Sequence, residues 1–369
     1  MDNNNMHDLI LWTKGKGVRM DGIIPTKIPT RGIGIVATRK IRTGQIIMQI
    51  PEKAIYSLHS IPTSITSRLP SDMRLHGLLA ADLTLRTSST DSPWVEVLPT
   101  QANFEASVPL MWPEELHAFL PRSAYHILKR QQIKFQHECD SVAKAFPDLD
   151  RSKYKYFWLI INSRTFYYEA PEMAKYRWED KLCLLPAADL FNHSNDGCTV
   201  TWWDNDGYTI TANRTYGAGD ELCISYGKHT NDFLLVEYGF TVSQNPWDEV
   251  GLDEVILPKL DQAQQDALAQ QGHLGEFKFH AERGPCIKSR AAISQIQRQV
   301  YPSADIETPA SDTQRDALLR GLLRELLTIA REMLQRLKEL QIGDKTHRDL
   351  LIQRWEQIKQ VTAKNIQIE

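Results

Sequence analysis

Apolar positions change their period along the chain. In residues 31–56, RGIGIVATRKIRTGQIIMQIPEKAIY, Ile33, Ile35 and Ala37 alternate, Thr43-Gly44 marks a turn, and residues 46–50 form a second apolar run. Period two between glycines and prolines predicts two short strands. From residue 70 the spacing becomes helical, over 73–85 and again over 124–146, with the loop-like TSSTDSP between them. That predicts a helical insertion. An apolar run, FWLII, then leads into NSRTFYY. Strand patterns return in TVTWWDNDGYTIT (199–211), whose Asn205-Asp206-Gly207 predicts a hairpin turn, and in 221–225, which runs into Tyr226-Gly227. Asn231 is expected to cap the helix DFLLVEYG.

Beyond Phe240, SQNPWDE (243–249) has the composition of a linker and PSADIETPASD (302–312) that of a loop. Leu318, Leu319, Leu322, Leu323, Leu326, Ile329, Ala330, Met333, Leu334, Leu337 and Leu340 then recur at steps of three and four, which predicts a long amphipathic helix with a wide apolar stripe. A second helix over 348–361 presents Leu351, Trp355 and Ile358, with Gly343-Asp344 between the two. The last third therefore reads as an antiparallel helical unit. Packing alone accounts for its leucines, and a role in holding a partner is additional.

Composition narrows the class. A length of 369 residues corresponds to two or three domains, and 42% hydrophobic with 24% charged residues allows large cores. A net charge of -3 implies no general attraction to nucleic acid or to an anionic membrane. The opening MDNNNMHDLILWTKGKG has no basic flank before its apolar run and does not read as a secretory signal. No apolar stretch approaches the roughly 20 residues that span a bilayer. Cys139, Cys183, Cys198, Cys223 and Cys286 are scattered without a CxxC, which suits free thiols in a reducing compartment and does not space like a zinc site.

Four segments carry candidate chemistry. In LFNHSNDGC (190–198), Asn192-His193-Ser194 matches a glycosylation acceptor, as does Asn213-Arg214-Thr215, but neither is used without export. Asp189, Asn192 and His193 also set polar groups at the edge of a buried element. There they are either satisfied core residues or donors and acceptors for a purine edge or an amino-acid head group. Arg31-Gly32-Ile33-Gly34 opens a strand with two glycines: a plain turn, or a place where a ligand approaches the backbone. Arg164 among Phe166, Tyr167 and Tyr168 either stacks at the surface or pairs a carboxylate. Tyr226 and Tyr238, each followed by glycine, are core residues or crowd the backbone around a small pocket.

The succession RGIG, SRTF, DLFNHS, GDELCISYG and EYGF resembles the SET-domain methyltransferases. Within them it is similar to the branch of the plant Rubisco large-subunit lysine methyltransferase, over roughly residues 8–242 and more loosely to the end of the chain. The resemblance implies an α+β fold: a SET-domain β-fold of short strands with a threaded, knot-like C-terminal segment, a helical insertion and an all-helical C-terminal domain. The divisions are 1–69 and 151–242 for the two parts of the SET domain, 70–150 for the insertion and 243–369 for a helical substrate-binding domain.

The implied cofactor is S-adenosyl-L-methionine, with no metal. Gly32, Ile33 and the backbone of Arg31 would line its methionine end. Arg164 would pair its carboxylate beside Phe166. Asn192 and His193, with Asp189 at the start of their stretch, would bond the adenine mainly through backbone groups. Tyr238, Gly239 and Phe240 would close the wall, and Tyr226 would stand at the methyl-transfer point. The implied activity is methylation of a lysine side chain on a non-histone protein. Protein-histidine methylation in the same branch and a non-catalytic SET-like binding module are the alternatives. The expected partner is a protein substrate held by the SET channel and the C-terminal helices, with no nucleic acid and no membrane. A monomer in the cytoplasm or nucleus is expected.

Overall fold

In the computed structural model of the chain, residues 3–29, 31–86, 92–203, 207–301 and 309–366 are described. They form two compact units, 1–104 with 132–228 and 105–131 with 229–369.

The strands of the first unit are β1 (Arg19–Met20), β2 (Ile23–Ile28), β3 (Gly32–Ala37), β4 (Ile46–Ile50), β5 (Thr165–Tyr167), β6 (Leu182–Leu184), β7 (Asn192–Trp203), β8 (Gly207–Thr211) and β9 (Glu221–Ile224). Seven make one sheet in the order β1-β4-β8-β7-β9-β3-β2, and β5 pairs with β6. The two strands expected in 31–56 are β3 and β4, with Gly44 at φ +79 in the turn between them. They are not neighbours: β3 pairs with β2 and β9, and β4 with β1 and β8. Ile35, Ile47, Ile210 and Leu222 from four of these strands are completely buried.

The hairpin expected over 199–211 is β7 with β8, and residues 204–206 of its turn lie outside the described residues. β7 begins at Asn192 rather than Thr199, because its first residues pair elsewhere. Asn192 and His193 run parallel to Cys223 and Ile224 of β9, and the register shifts before Cys198 rejoins Ile224. Polar residues in an irregular stretch carry no period-two signal, so the sequence hides this half of the strand.

The insertion is helical, with helices Leu75–Arg86, Pro93–Glu96, Gln101–Ser107 and Arg122–Ala145. Helix Leu75–Arg86 packs on helix Arg151–Arg164, burying Leu79, Ala80, Trp158, Ile160 and Ile161 completely. Asp150 caps the latter helix by accepting from the amides of Ser152 and Lys153 at 2.9 and 3.0 Å. That cap fixes where the helix starts, and the helix ends on Arg164.

In the second unit, helices Pro309–Glu339 and Lys345–Ile366 pack against each other about a loop with Gly343 at φ +73. Leu322, Leu323, Leu326, Ala330, Leu334 and Leu337 are buried on the first helix, and Leu351, Trp355 and Ile358 on the second. Three expectations are corrected here. The unit is not all helix: β10 (Glu249–Gly251), β11 (Lys278–His280) and β12 (Gly284–Pro285) form a small sheet. Strands of two and three residues are too short to show a period. SQNPWDE is no linker, since Asn245 donates to His229 O at 2.8 Å and Asp248 pairs with the buried Arg354 at 2.7 Å. Thr230, not Asn231, caps helix Asn231–Tyr238, and Asn231 spends its side chain on Val242, Asp248 and Gln357 instead. Of the loop expected at 302–312, residues 302–308 lie outside the described residues, and helix already begins at Pro309.

Among the described residues no helix is long and apolar enough to cross a membrane. All five cysteines are free thiols.

Candidate active site

Segments of the first unit that are far apart in sequence meet where β7 begins and β9 ends. Tyr226, two residues past β9, donates its amide N–H to Nδ1 of His193 at 3.0 Å and its hydroxyl to the carbonyl of Phe191 at 2.7 Å. The two rings lie 5.2 Å apart. Because Nδ1 accepts, the proton of the neutral imidazole sits on Nε2. Burial pushes the Tyr226 phenol up to about 12, with a smaller opposing pull from Arg164. The hydroxyl therefore stays protonated at neutral pH.

Glu221, at the start of β9, ties the same region from the other side. One of its oxygens accepts from Asn192 Nδ2 at 2.8 Å, and the other pairs with Arg31 Nη1 at 2.7 Å. Nη2 of Arg31 reaches the carbonyl of His193 at 3.3 Å. The Arg31 side chain is thus engaged within the protein, which leaves its backbone as the part expected to meet a ligand. The two glycines after it do different work. Gly32 has φ +76, and among the described residues beyond its chain neighbours no atom lies within 4 Å of where a Cβ would stand, so its backbone lies open. At Gly34 a Cβ would come within 2.8 Å of both Asn192 Nδ2 and Glu221 Oε1, so glycine is what lets β3 approach that pair. Ile33 is half-buried in β3 opposite Lys27.

Arg164 comes off the end of its helix and gives Nη1 to the carbonyl of Asp189 and, at 3.5 Å, to Oδ2 of the same residue. Trp94 of the insertion donates its indole N–H to that Oδ2 at 3.0 Å. Ala187, two residues before Asp189, is held at φ +75, where non-glycine residues are rare. Burial pushes the Asp189 carboxyl up, and Arg164, Trp94 and Ala187 pull it back. Two buried atoms of this group, Arg164 Nε and Asp189 Oδ1, have no hydrogen-bond partner among the described residues. Phe166 is half-buried in β5 opposite Cys183.

Of the residues singled out from the sequence, Arg31, Asn192, His193 and Tyr226 thus form one bonded constellation, joined in part by Glu221, and Arg164 forms a second with Asp189. Tyr238, Gly239 and Phe240 belong to the second unit. There Gly239 ends its helix at φ +80, and an added Cβ would meet Ser107 Oγ at 2.7 Å. The Tyr238 ring stands 6.2 Å from Phe240 and 6.4 Å from Phe233, which stacks on His229 at 4.3 Å. Glu221 and Trp94 carry no assignment from sequence. Glu221 lies inside GDELCISYG, and Trp94 is an isolated aromatic after a loop-like stretch.

The SET domain family profile matches residues 32–227, more than half of the chain. The ribosomal lysine N-methyltransferase set11 of Schizosaccharomyces pombe is 25% identical over 361 residues, which cover 92% of this chain and 92% of that protein. An actin-histidine N-methyltransferase of Xenopus tropicalis is 25% identical over 264 residues, 66% of this chain, and the match spans 44% of that longer protein. Among solved structures, the SET domain of LSMT bound to lysine and AdoHcy shares the fold with a TM-score of 0.65 at 17% identity, covering 98% of this chain and 90% of that one.

Proposed function

The chain belongs to the SET domain family, and from that premise we propose that it is an S-adenosylmethionine-dependent methyltransferase acting on a lysine side chain of a non-histone protein. The observation that carries the reading is the double hold on Tyr226, by His193 Nδ1 at its amide and the Phe191 carbonyl at its hydroxyl. It fixes one neutral phenol at the junction of the segments that the family's motifs occupy.

The residues present fit the cofactor. Among the described residues, an unengaged donor at Arg164 Nε and the open backbone of Gly32 suit the carboxylate end of an amino-acid head group. Arg164 holds the carboxylate end, with Gly32, Ile33 and the backbone of Arg31 beside it. Asn192 and His193 hold the adenine through backbone groups, since the side chains of both are engaged within the site. When bound, S-adenosylmethionine supplies a methyl group on a sulfonium sulfur.

The work left to the protein is alignment and proton control. A lysine amine attacks only when neutral, and free in water its pKa is about 10.4. Entry into a desolvated site lowers that value, because burial disfavours the ammonium. The Tyr226 hydroxyl proton is directed at Phe191, so toward an arriving amine this hydroxyl acts as an acceptor and orients the nitrogen. No strong base is needed under this scheme.

Lysine is favoured over histidine as the target because the relative matched over 92% of both chains is named for a ribosomal lysine. A ribosomal protein is accordingly the first substrate to try. The histidine reading draws on relatives such as the Xenopus tropicalis enzyme, matched over 66% of this chain. Calorimetric titration with S-adenosylmethionine tests the reading: one site per chain is expected, weakened in Arg164→Ala. A parent protein that binds no S-adenosylmethionine refutes it.

A further inference from the structure

We propose that Trp94, from the helical insertion, is a positioning residue for Arg164, acting through the carboxylate of Asp189. The inference rests on the function proposed above and goes beyond the motif residues, since Trp94 belongs to none of them.

Arg164 is anchored at one nitrogen. Its Nη1 makes both contacts to Asp189, while Nε has no partner among the described residues. A guanidinium held at one corner swings about that corner unless its anchor is rigid. The anchor is Asp189, through its backbone carbonyl and, at 3.5 Å, through its fully buried carboxylate. Trp94 donates to Oδ2, the same carboxylate oxygen that faces Arg164, at 3.0 Å.

Trp94 is itself buried, at 5% exposure, in a short helix that starts with Pro93 and runs into the buried Val97 and Leu98. The indole N–H thus sets the carboxylate plane, and the carboxylate sets the direction in which Arg164 presents Nε. The insertion then contributes to the affinity of the site for its cofactor.

Trp94→Phe keeps an aromatic ring and deletes the donor. Cofactor affinity is expected to fall about tenfold, the size of one hydrogen bond to a charged group. Turnover at saturating cofactor, and KM for the protein substrate, are expected to stay within about twofold. In an Arg164→Ala background the same change is expected to cost no further affinity, because the residue it acts through is gone. A purely structural tryptophan would lower the melting temperature and weaken affinity equally in both backgrounds.

Unchanged affinity in Trp94→Phe, or equal losses with and without Arg164, overturns the proposal. Should Trp94→Phe not fold, Asp189→Asn carries the test. It keeps the side-chain shape but removes the charge, and unchanged cofactor affinity there also overturns the relay. If the parent protein binds S-adenosylmethionine and these variants bind it equally well, only the relay fails. If the parent does not bind, the functional reading has failed first.

Discussion

His193 and Tyr226 are bonded backbone to side chain across the sheet: the Tyr226 amide donates to the His193 imidazole at 3.0 Å, with the rings 5.2 Å apart. The contact locks the start of β7 to the end of β9, where the strands run parallel. His193→Ala leaves a partly buried N–H without its acceptor, so the protein should lose about 2 kcal/mol of stability and bind S-adenosylmethionine more weakly. Chemical denaturation and calorimetry on the same preparation check both. Unchanged values would remove the imidazole from the site.

Tyr226→Phe deletes the hydroxyl that reaches Phe191 at 2.7 Å and leaves the ring and the amide bond in place. Turnover should fall about a hundredfold, as for loss of one preorganised polar group at a reacting centre. Cofactor affinity should change by less than about threefold. Steady-state kinetics with a titration on the same variant separates this from misfolding, which would lower both.

Gly197 lies in the shifted stretch of β7, where an added Cβ would stand 2.6 Å from the backbone of Ile224. The neighbour is main chain and has nowhere to rotate. Gly197→Ala should therefore destabilise the protein by about 1–3 kcal/mol and weaken cofactor binding along with it. Thermal melting with and without S-adenosylmethionine reads both.

A buried pair in the first unit is expected to make the protein sensitive to acid. His76 stacks edge-on against Trp158 at 4.4 Å and lies 3.4 Å from Glu138, which accepts the Trp158 indole N–H at 2.7 Å. Burial, with help from Lys134, holds the histidine down to about 4 from an ordinary 6.5. Burial pushes the Glu138 carboxyl up, but His76, Lys134 and Trp158 together hold it below its usual range. Between pH 6.5 and about 4 the unfolded chain takes up a proton that the folded His76 refuses, so stability falls as the pH is lowered through that window. Glu138 adds to the loss at still lower pH, because the unfolded carboxyl protonates first. His76→Phe should flatten the decline in melting temperature between pH 7 and 5, and an unchanged slope would contradict the assignment.

Much of this site was readable before the fold. Asn192-His193 and Tyr226 each read equally well as core residues, and their order with the other motifs is what singles them out; the fold bonds His193 to Tyr226 and Asn192 to Glu221. Glu221 and Trp94 were silent, since each owes its role to residues that only folding brings near: Arg31 and Asn192 for one, Asp189 for the other. Gly34 could be flagged as a glycine in a strand, but not as the gap through which β3 meets Asn192. In the second unit the long leucine stripe announced its helix, whereas β10–β12 are too short for any period. The cap at Thr230 rather than Asn231 shows the limit of reading adjacent polar residues, when tertiary partners decide which of them is free to cap.

The most direct test of the account is methyl transfer itself. The protein is incubated with isotopically labelled S-adenosylmethionine and ribosomal proteins, and the modified peptide is sequenced by mass spectrometry, with Tyr226→Phe in parallel. The account predicts label on a lysine side-chain nitrogen with the parent protein and very little with the variant. Label on another residue type, or equal labelling by parent and variant, would contradict it.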